Sequence, residues 1–567
     1  MEVVEEERTI RVGGREIPIG GPVPELGPGE TFLRYTASIC PECYRLLPAV
    51  IFEREGKVLI RKVCPEHGEF EEVYWGDYAQ YERAMRYEVP YVKPSPHVDM
   101  TGPCPFSCGL CPAHGNPTAL ANIVLTNRCD LECWYCFFYA EKAGFVYEPS
   151  IEEIRQMIRV LKSQKPFPGK AVQLTGGEPL LRDDLVEIVR MIREEGVTHI
   201  QLNTNGIRFL ERPELMREVR QAGVNTMYLS FDGVSPRANP KNHWEIPYIL
   251  DIARRSGMTS IVLVPTVIRG INTDELGDIV RFGALNMDVV RGVNFQPISI
   301  TGSVPREERE KLRITIPEVI KLIEEQTDGQ IPVDAWYPVP FVYVLSEFIE
   351  LITGKPKFKM ANHPACGMAT YVFPEFRTEG GRRILERLIP ITDFVRVEEF
   401  HEFLSRRVEE LRRGAGRLRT LGKVILNLGK FIETSRQPRG LDLRRILVKI
   451  LLKRNYEALA EFHYRSLFLG MMHFMDLYNY DVQRVMRCNI HYLTPDGRVI
   501  PFCAFNVLSD IYRDRIQREH SLSLEEYARL HGEDSVGPSI KYRRDVKRLR
   551  SGEPYRRTYE PFSHLIG

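Results

Sequence analysis

The pattern of hydrophobic and polar positions changes twice along the chain and divides it into three predicted parts. Residues 31–75 alternate between apolar and polar positions, which predicts short strands around the turns CPEC and CPEHG. From residue 121, short apolar runs alternate with amphipathic helical segments. Beyond about residue 330 the pattern is mainly helical. The predicted parts are a small β-rich module at 1–117, a central domain at 118–330 and a C-terminal region at 331–567.

The central domain repeats a strand and a helix six times. Its strand patterns are ANIVLT, AVQLTGG, HIQLNTNG, NTMYLSFDG, SIVLVPTVI and VNFQPIS. A capping box of Ser150 and Glu153 opens one helix, and Gly196 ends the next. Such βα repeats with short loops predict an α/β fold whose parallel sheet curls into a partial (β/α)6 barrel. Active sites of these sheets lie at the carboxyl ends of the strands, where the polar motifs of this chain fall.

Composition and charge narrow the class of protein. The chain has 567 residues, of which 43% are hydrophobic and 27% charged, as in a globular protein of several domains. Its formal net charge of +1 provides no basic field, so we predict no nucleic-acid partner. The sequence shows neither an apolar leader nor an uncharged apolar run long enough to span a bilayer. We therefore expect a cytoplasmic protein that does not cross a membrane.

The distribution of the cysteines indicates metal sites. The twelve cysteines form four groups of three, namely Cys40, Cys43 and Cys64; Cys104, Cys108 and Cys111; Cys129, Cys133 and Cys136; and Cys366, Cys488 and Cys503. In a reducing cytosol such groups indicate metal sites rather than disulfides. The spacing C-x3-C-x2-C occurs twice. Three thiols so close together cannot all pair, and as metal ligands they leave one coordination position open.

Context separates the two C-x3-C-x2-C motifs. Cys129 directly follows the strand pattern ANIVLT, so its loop lies at the carboxyl end of a strand. Cys104 lies in the segment 92–118, whose prolines and glycines allow neither a long helix nor a long strand. Tyr135 precedes the third thiol of the second motif, where the first motif has leucine. We assign the catalytic role to the motif that contains Cys129.

Four motifs, CDLECWYC, GGEP, NTNG and SFDG, together resemble the radical S-adenosylmethionine enzymes over roughly residues 118–300. The resemblance implies that Cys129, Cys133 and Cys136 are catalytic and hold a [4Fe–4S] cluster whose fourth iron is free. That iron is expected to chelate the amino and carboxylate groups of S-adenosyl-L-methionine. Cleavage of a C–S bond then releases a 5′-deoxyadenosyl radical, which removes hydrogen from unactivated carbon.

The same resemblance implies which residues bind the cofactor. They are Tyr135, Gly176, Gly177, Glu178, Asn203, Asn205, Ser230 and Asp232. The GGE loop matches the one that binds the methionine amino group, and the tyrosine matches an aromatic residue near adenine. The two asparagines, the serine and the aspartate are expected to contact the ribose and the carboxylate. Ordinary turn chemistry explains these four equally well, and both interpretations stay open.

The other cysteines predict further metal sites. The knuckles Cys40-Pro-Glu-Cys43 and Cys64-Pro-Glu-His67 resemble a rubredoxin or zinc-ribbon module that holds mononuclear iron or zinc, with His67 as the local candidate for a fourth ligand. Two auxiliary [4Fe–4S] clusters are expected as well. Their predicted ligands are Cys104, Cys108 and Cys111, completed by His114 or a distant residue, and Cys366, Cys488 and Cys503, whose fourth ligand is not identifiable from the sequence.

Two basic amphipathic segments, 416–432 and 442–455, bear on the substrate. Segments of this kind lie on anionic membrane surfaces, and the aromatic runs 335–352 and 468–480 add apolar surface. The alternative is a pair of solvated helices that pack on the protein core. Lipid contact would make the protein peripherally membrane-associated.

The layout of cysteines and flanks resembles archaeal tetraether lipid synthases. This resemblance implies C–C bond formation between the phytanyl termini of archaeal diether lipids, at a membrane surface and with an electron donor such as ferredoxin. One alternative is a radical methylase that acts on a small heterocycle such as a pterin. Another, from a different class, is a metal-ribbon scaffold for RNA or protein whose barrel is catalytically inert.

Overall fold

The computed structural model describes residues 8–136, 140–453 and 456–566. The predicted helix 442–455 and the polar N-terminal arm each extend a few residues beyond these ranges. In order, the strands are β1 (Arg8–Val12), β2 (Arg15–Ile19), β3 (Thr31–Ile39), β4 (Leu46–Arg54), β5 (Lys57–Cys64), β6 (Gly68–Trp75), β7 (Leu120–Thr126), β8 (Phe145–Tyr147), β9 (Ala171–Gly176), β10 (His199–Thr204), β11 (Thr226–Ser230), β12 (Ile261–Val264), β13 (Thr266–Val267), β14 (Val290–Pro297), β15 (Tyr337–Pro338), β16 (Gly367–Glu379), β17 (Arg382–Pro390), β18 (Leu467–Met472), β19 (Ile490–Leu493), β20 (Val499–Pro501) and β21 (Ser521–Ser523).

The helices alternate with the central strands and dominate the C-terminal region. They are α1 (Tyr78–Met85), α2 (Ala140–Ala143), α3 (Ile151–Ser163), α4 (Leu185–Glu194), α5 (Pro213–Ala222), α6 (Ile246–Ser256), α7 (Leu276–Leu285), α8 (Arg309–Leu312), α9 (Ile316–Gln326), α10 (Tyr343–Thr353), α11 (Val397–Arg412), α12 (Arg417–Asn427), α13 (Leu443–Lys453), α14 (Tyr456–Arg465), α15 (Val482–Met486), α16 (Phe502–Val507), α17 (Arg513–Glu519), α18 (Leu524–His531), α19 (Val546–Ser551), α20 (Glu553–Tyr559) and α21 (Ser563–Ile566). The predicted capping box opens α3: Ser150 accepts from the Glu153 N–H, and Glu153 accepts from the Ser150 N–H.

The N-terminal module is a six-stranded sheet built mainly from antiparallel pairs. Its order is β1–β2–β4–β5–β6, and β3 pairs with β4. The strand predictions for 31–75 are confirmed because alternate residues such as Val50, Phe52 and Leu59 bury one face in a common apolar cluster. Cys40 follows β3 and Cys64 ends β5, so both thiol turns lie at one end of these hairpins.

Buried polar contacts attach this module to the C-terminal region. The Arg34 guanidinium donates to Asp481 at 2.5 Å, and the Tyr74 hydroxyl donates to the same carboxylate at 2.8 Å. The buried Lys62 ammonium donates to the Leu477 carbonyl at 2.6 Å. Burial lowers the pKa of Lys62 to about 7. These contacts fix the module against the loop between β18 and α15.

The central domain is the predicted partial barrel. Its six predicted strands, β7, β9, β10, β11, β12 and β14, are parallel and adjacent in that order. The sequences of these strands are nearly continuous apolar runs, because both faces of a parallel sheet with covering helices are buried. The fold-class prediction is confirmed.

The C-terminal region contributes strands to both edges of the barrel sheet. β18 lies parallel to β14, and β19 lies parallel to β7. β16 continues the sheet antiparallel to β18 and forms a long hairpin with β17. The region is mainly helical, as predicted, but its strands extend the barrel sheet on both sides. The division at residue 330 stays a prediction, and the sheet continues across it.

The predicted basic helices pack on the protein rather than standing apart from it. In α13, Leu443 and Ile446 are buried in an apolar cluster with Phe373 and Phe394. The apolar face of α13 therefore contacts the core, which favours the alternative that the sequence left open. In contrast, α12 leaves Leu418 86% exposed. Within the described residues, every helix is too short or too polar to cross a bilayer.

Candidate active site at the mouth of the barrel

The loop that carries Cys129, Cys133 and Cys136 follows β7, at the carboxyl end of the sheet as predicted. All three cysteine residues are partly exposed. The Lys541 ammonium donates to the Cys129 carbonyl at 2.9 Å, and the Tyr542 N–H donates to the Asp130 carbonyl at 3.0 Å. The C-terminal segment that contains these two residues therefore holds the cysteine loop in place.

Burial controls the charge of these thiols. It raises the pKa of Cys129 well above the usual value, and the neighbouring Asp130 carboxylate adds to this shift. Burial also raises the pKa of Cys133 to about 11, although the Lys241 ammonium opposes the change. Metal ligation requires thiolates. A bound cation must therefore supply the charge that stabilises them, which suits a cluster site.

Gly176 and Gly177 allow two backbone segments to cross. A Cβ at Gly176 would lie 2.1 Å from the Thr126 carbonyl oxygen, and a Cβ at Gly177 would lie 2.1 Å from the Arg128 carbonyl oxygen. The Gly177 N–H donates to Thr126 at 2.7 Å, and the Glu178 N–H donates to Arg128 at 2.8 Å. These glycines are required because β9 ends directly against the start of the cysteine loop.

The Glu178 side chain points into the protein. Its carboxylate accepts from the Thr204 hydroxyl at 2.7 Å and from the Asn205 N–H at 2.8 Å. Burial raises the pKa of Glu178 to about 8, and the nearby Asp130 carboxylate adds to this shift. The carboxylate thus ties the end of β9 to the end of β10. Its predicted contact with the methionine amino group stays a prediction.

Asn203, Asn205 and Ser230 make hydrogen bonds within the protein at the carboxyl ends of the strands. The Asn205 amide donates to Asp130 at 2.7 Å, and its oxygen accepts from the Ile207 N–H at 2.9 Å, which is the turn chemistry considered from the sequence. The Asn203 amide donates to the Thr175 hydroxyl at 3.2 Å. The Ser230 carbonyl accepts from Asn242 at 2.9 Å. Their ribose and carboxylate contacts also stay predictions.

Tyr135 and Asp232 meet at the barrel mouth together with Lys241, a residue that the sequence analysis missed. The Tyr135 hydroxyl donates to the Asp232 carboxylate, whose same oxygen lies 2.7 Å from the Lys241 ammonium. The other Asp232 oxygen accepts from the Thr266 N–H at 3.0 Å. Lys241 lies in a loop without a recognisable motif, so only the fold brings it next to Cys133. It adds a buried cation beside the cysteine loop.

Cys40, Cys43, Cys64 and His67 form a compact donor set. Their ligand atoms all lie within 4.8 Å of one another, with His67 Nδ1 3.5 Å from the Cys64 sulfur and 3.7 Å from the Cys40 sulfur. A tetrahedral ion with bonds of 2.3 Å holds sulfurs about 3.8 Å apart. The set therefore fits one iron or zinc ion. Elsewhere in the described ranges, no three thiol, imidazole or carboxylate donors are this compact. The three other cysteine triads are therefore less compact than this single-ion site, and their role as cluster ligands stays a prediction.

Cys104 and Cys108 lie together beneath the barrel mouth. A hydrogen bond with Cys108 and burial together raise the pKa of Cys104 well above its usual value. The Cys108 N–H donates to the Tyr512 hydroxyl at 3.2 Å. His114, considered above as a further ligand here, instead has its Nε2 2.8 Å from the Cys488 carbonyl oxygen and 3.0 Å from His491 Nε2. The auxiliary ligand role of Cys104, Cys108 and Cys111 stays a prediction.

Cys366, Cys488 and Cys503 come together although 121 residues separate the first two in the sequence. Burial and the proximity of Cys503 and Cys366 raise the pKa of Cys488 far above its usual value. Burial raises the pKa of Cys503 to about 11, although the Arg484 guanidinium opposes this change. These mutual effects place the three cysteines near one another, and their role as ligands of a shared cluster stays a prediction.

Family models identify the class to which the barrel and its cysteine loop belong. The model described as the radical SAM superfamily matches residues 123–283, and the model described as the HMPTM N-terminal zinc ribbon domain matches residues 32–76. A curated relative, 7,8-dihydro-6-hydroxymethylpterin dimethyltransferase of Methanocaldococcus jannaschii, is 44% identical over 510 residues, covering 88% of this chain and 98% of the relative. The chain belongs to the radical SAM superfamily and, within it, to the family of this relative.

More distant similarities cover a smaller share of the chain. GTP 3′,8-cyclase of Aquifex aeolicus is 31% identical over 176 residues, which is 29% of this chain and 53% of that one. Among solved structures, HydG, a maturase of the [FeFe]-hydrogenase, covers 38% of this chain and 50% of its own at 13% identity, with a TM-score of 0.30. A similarity at that score supports no argument about function.

The comparisons confirm the predicted radical enzyme with its [4Fe–4S] cluster, S-adenosyl-L-methionine and mononuclear metal site. They contradict the predicted tetraether lipid synthase and its diether lipid substrate, because the relative that matches over nearly its whole length is named for a pterin. The motifs at the strand ends indicate the radical chemistry and do not identify the substrate. The flanking helices that suggested a lipid also fit packing on the core, as α13 shows.

Proposed function

We propose that this protein is a radical S-adenosylmethionine methyltransferase that acts on a pterin of the 7,8-dihydro-6-hydroxymethylpterin type. The observation that carries the proposal is the 44% identity to a pterin dimethyltransferase over 98% of that relative's length. The ribbon at 32–76, which matches the HMPTM zinc ribbon model, extends the similarity beyond the barrel. An inert scaffold is disfavoured because all three cysteines of the catalytic loop are present at the barrel mouth.

A cavity beside the cysteine loop has a size and lining that suit a small polar heterocycle. Its volume is about 290 Å³, and it is lined by Asn127, which precedes the loop, and by Lys142 and Phe145, which follow it. Gln517 and Arg518 contribute from α17. A pterin presents an edge of hydrogen-bond donors and acceptors together with a flat ring. Amide and guanidinium groups beside an aromatic ring can bind both features.

In this proposal Cys129, Cys133 and Cys136 hold the cluster, and Lys241 and Asp232 line the mouth where S-adenosylmethionine binds. When bound, the cluster and S-adenosylmethionine supply radical chemistry for attack on unactivated carbon. The protein's contribution is to fix the cysteine loop through Lys541 and to keep the site partly shielded from water. An electron donor is required, and we propose one of the ferredoxin class. Peripheral membrane association stays a prediction that the packing of α13 does not favour.

The proposal is tested with anaerobically reconstituted protein, a reductant, 7,8-dihydro-6-hydroxymethylpterin and S-adenosylmethionine that carries a deuterated methyl group. Mass spectrometry should detect labelled methyl groups on the pterin with the wild-type protein and none with Cys133→Ala. If the pterin neither gains mass nor increases the release of 5′-deoxyadenosine by the wild-type protein, the proposed substrate is wrong.

A further inference from the structure

The antiparallel pairing of β16 and β18 places a histidine opposite one of the C-terminal cysteines. Gly367 at the start of β16 pairs with Met472 at the end of β18. The next pair outward is Cys366 and His473, and the His473 N–H donates to the Cys366 carbonyl at 3.0 Å. Directly opposite residues of antiparallel strands project to the same face, with Cβ atoms about 4.5–5.5 Å apart. The backbone hydrogen bond therefore brings His473 and Cys366 next to each other where the two strands meet.

The same segment also contacts a second thiol. The Met475 N–H points at the Cys503 sulfur at 3.5 Å, so residues 473–475 run directly past Cys503. The Arg484 guanidinium donates to the His473 carbonyl at 2.7 Å and also reaches the Cys366 thiol. Backbone and side-chain contacts thus gather Cys366, Cys503 and His473 around one cation.

His473 has an unusual environment for a buried histidine. The buried histidines in the described part of the chain are His114, His243, His363, His473 and His491. Of these, only His473 has neither ring nitrogen hydrogen-bonded, although it is only 2% exposed. Buried polar groups without a partner are rare and call for an explanation such as an ion. An imidazole nitrogen directed at a metal would satisfy one of these atoms.

We propose that His473 is the fourth protein ligand of an iron–sulfur cluster held by Cys366, Cys488 and Cys503. An oxidised [4Fe–4S] core carries two positive charges, so three thiolates leave one negative charge. The Arg484 guanidinium balances that charge, and a neutral imidazole adds none. A fourth thiolate or carboxylate would instead leave an unbalanced charge in a buried site. With four protein ligands such a cluster would have no open iron for a substrate.

The test uses the full-length protein with zinc at the ribbon site, reconstituted without S-adenosylmethionine and reduced. One sample contains 15N-labelled histidine and the other natural histidine. Pulsed paramagnetic resonance should show a nitrogen coupling of directly bound imidazole, which changes with the label. His473→Ala should abolish this coupling. His473→Cys should retain the iron content but lose the coupling, because a thiolate replaces the imidazole.

His491→Asn is the matched control, since His491 is buried nearby but bonds to His114. It should retain the coupling. Absence of any histidine coupling in the wild-type protein would overturn the proposal, as would a coupling that persists in His473→Ala. Absence of the coupling in the wild-type protein decides against the proposal even if a variant fails to fold, and either His473→Ala or His473→Cys suffices to assign the coupling to His473. The measurement needs no pterin, so its outcome is independent of the substrate proposed above.

Discussion

Replacing Gly177 by alanine tests whether the crossing of β9 and the cysteine loop positions the active site. The new Cβ would lie 2.1 Å from the Arg128 carbonyl oxygen, whereas real Cβ contacts essentially never fall below 3.0 Å. The two segments must therefore separate by roughly 0.9 Å at least. The neighbouring hydrogen bond from the Glu178 N–H to Arg128, now 2.8 Å, lies directly in the path of this separation.

The expected cost combines two effects. Overpacking a well-packed site costs typically about 1–3 kcal/mol, and a lost backbone hydrogen bond about 0.5–1.5 kcal/mol. Gly177→Ala should thus destabilise the barrel by about 1.5–4.5 kcal/mol. Since Arg128 directly precedes Cys129, the shift also moves the first cluster ligand. We expect lower iron occupancy at this loop and loss of 5′-deoxyadenosine formation.

Urea unfolding of the zinc-loaded, cluster-free protein measures the stability change, and an adenosine-release assay measures the functional one. Gly422→Ala is the control, because Gly422 lies in α12 with nothing within 4 Å of its added Cβ. That variant should be neutral or slightly stabilised, as is usual for glycine to alanine in a helix. If Gly177→Ala matches the control in stability and in adenosine release, the reasoning about the crossing is refuted.

Three further predictions follow from the thiols and the buried carboxylate. Cys133→Ala should retain the fold but abolish 5′-deoxyadenosine formation, and retained release would show that 129–136 is not the catalytic motif. Full reconstitution should give roughly thirteen irons per chain, or about twelve and one zinc, whereas a reproducible content of about four would show that the outlying cysteines hold no clusters. The pKa of Glu178 is raised to about 8, so between about pH 4.5 and about pH 8 the folded state holds a proton that the unfolded state releases. The free energy of unfolding should therefore fall as pH rises through this window, by at most about 1.4 kcal/mol per pH unit. Glu178→Gln should flatten urea midpoints over this window, and an unchanged slope would contradict the assigned pKa.

The sequence predicted those features that depend on local pattern. The strands of the barrel follow from short apolar runs between helices, and the capping box at Ser150 follows from four residues. The compact donor set of the ribbon follows from two cysteine turns on hairpins. The strands β18 and β19, which flank the six predicted strands, could not be predicted this way. β19 pairs with β7, about 370 residues earlier in the chain, and no local signal specifies such a partner.

The error about the substrate has a physical origin. A basic amphipathic helix has the same sequence whether its apolar face meets lipid or protein. In α13 that face meets Phe373 and Phe394, so the hydrophobic pattern was satisfied internally. The glycines of the GGE loop illustrate a similar point. Their presence was predicted to serve a ligand, but the backbone crossing alone already requires them.

The cysteine triads also share an environment that their spacing does not reveal. Cys104, Cys136 and Cys503, one from each triad outside the ribbon, pack against one buried apolar cluster that contains Tyr480. Three clusters bound there would be separated by protein side chains and not by solvent. Each net charge in such a region needs a nearby opposite charge, because the interior screens poorly. Lys241 beside Cys133 and Arg484 beside Cys366 and Cys503 supply such charges. Single cations of this kind have no sequence motif, which is why the structure was needed to find them.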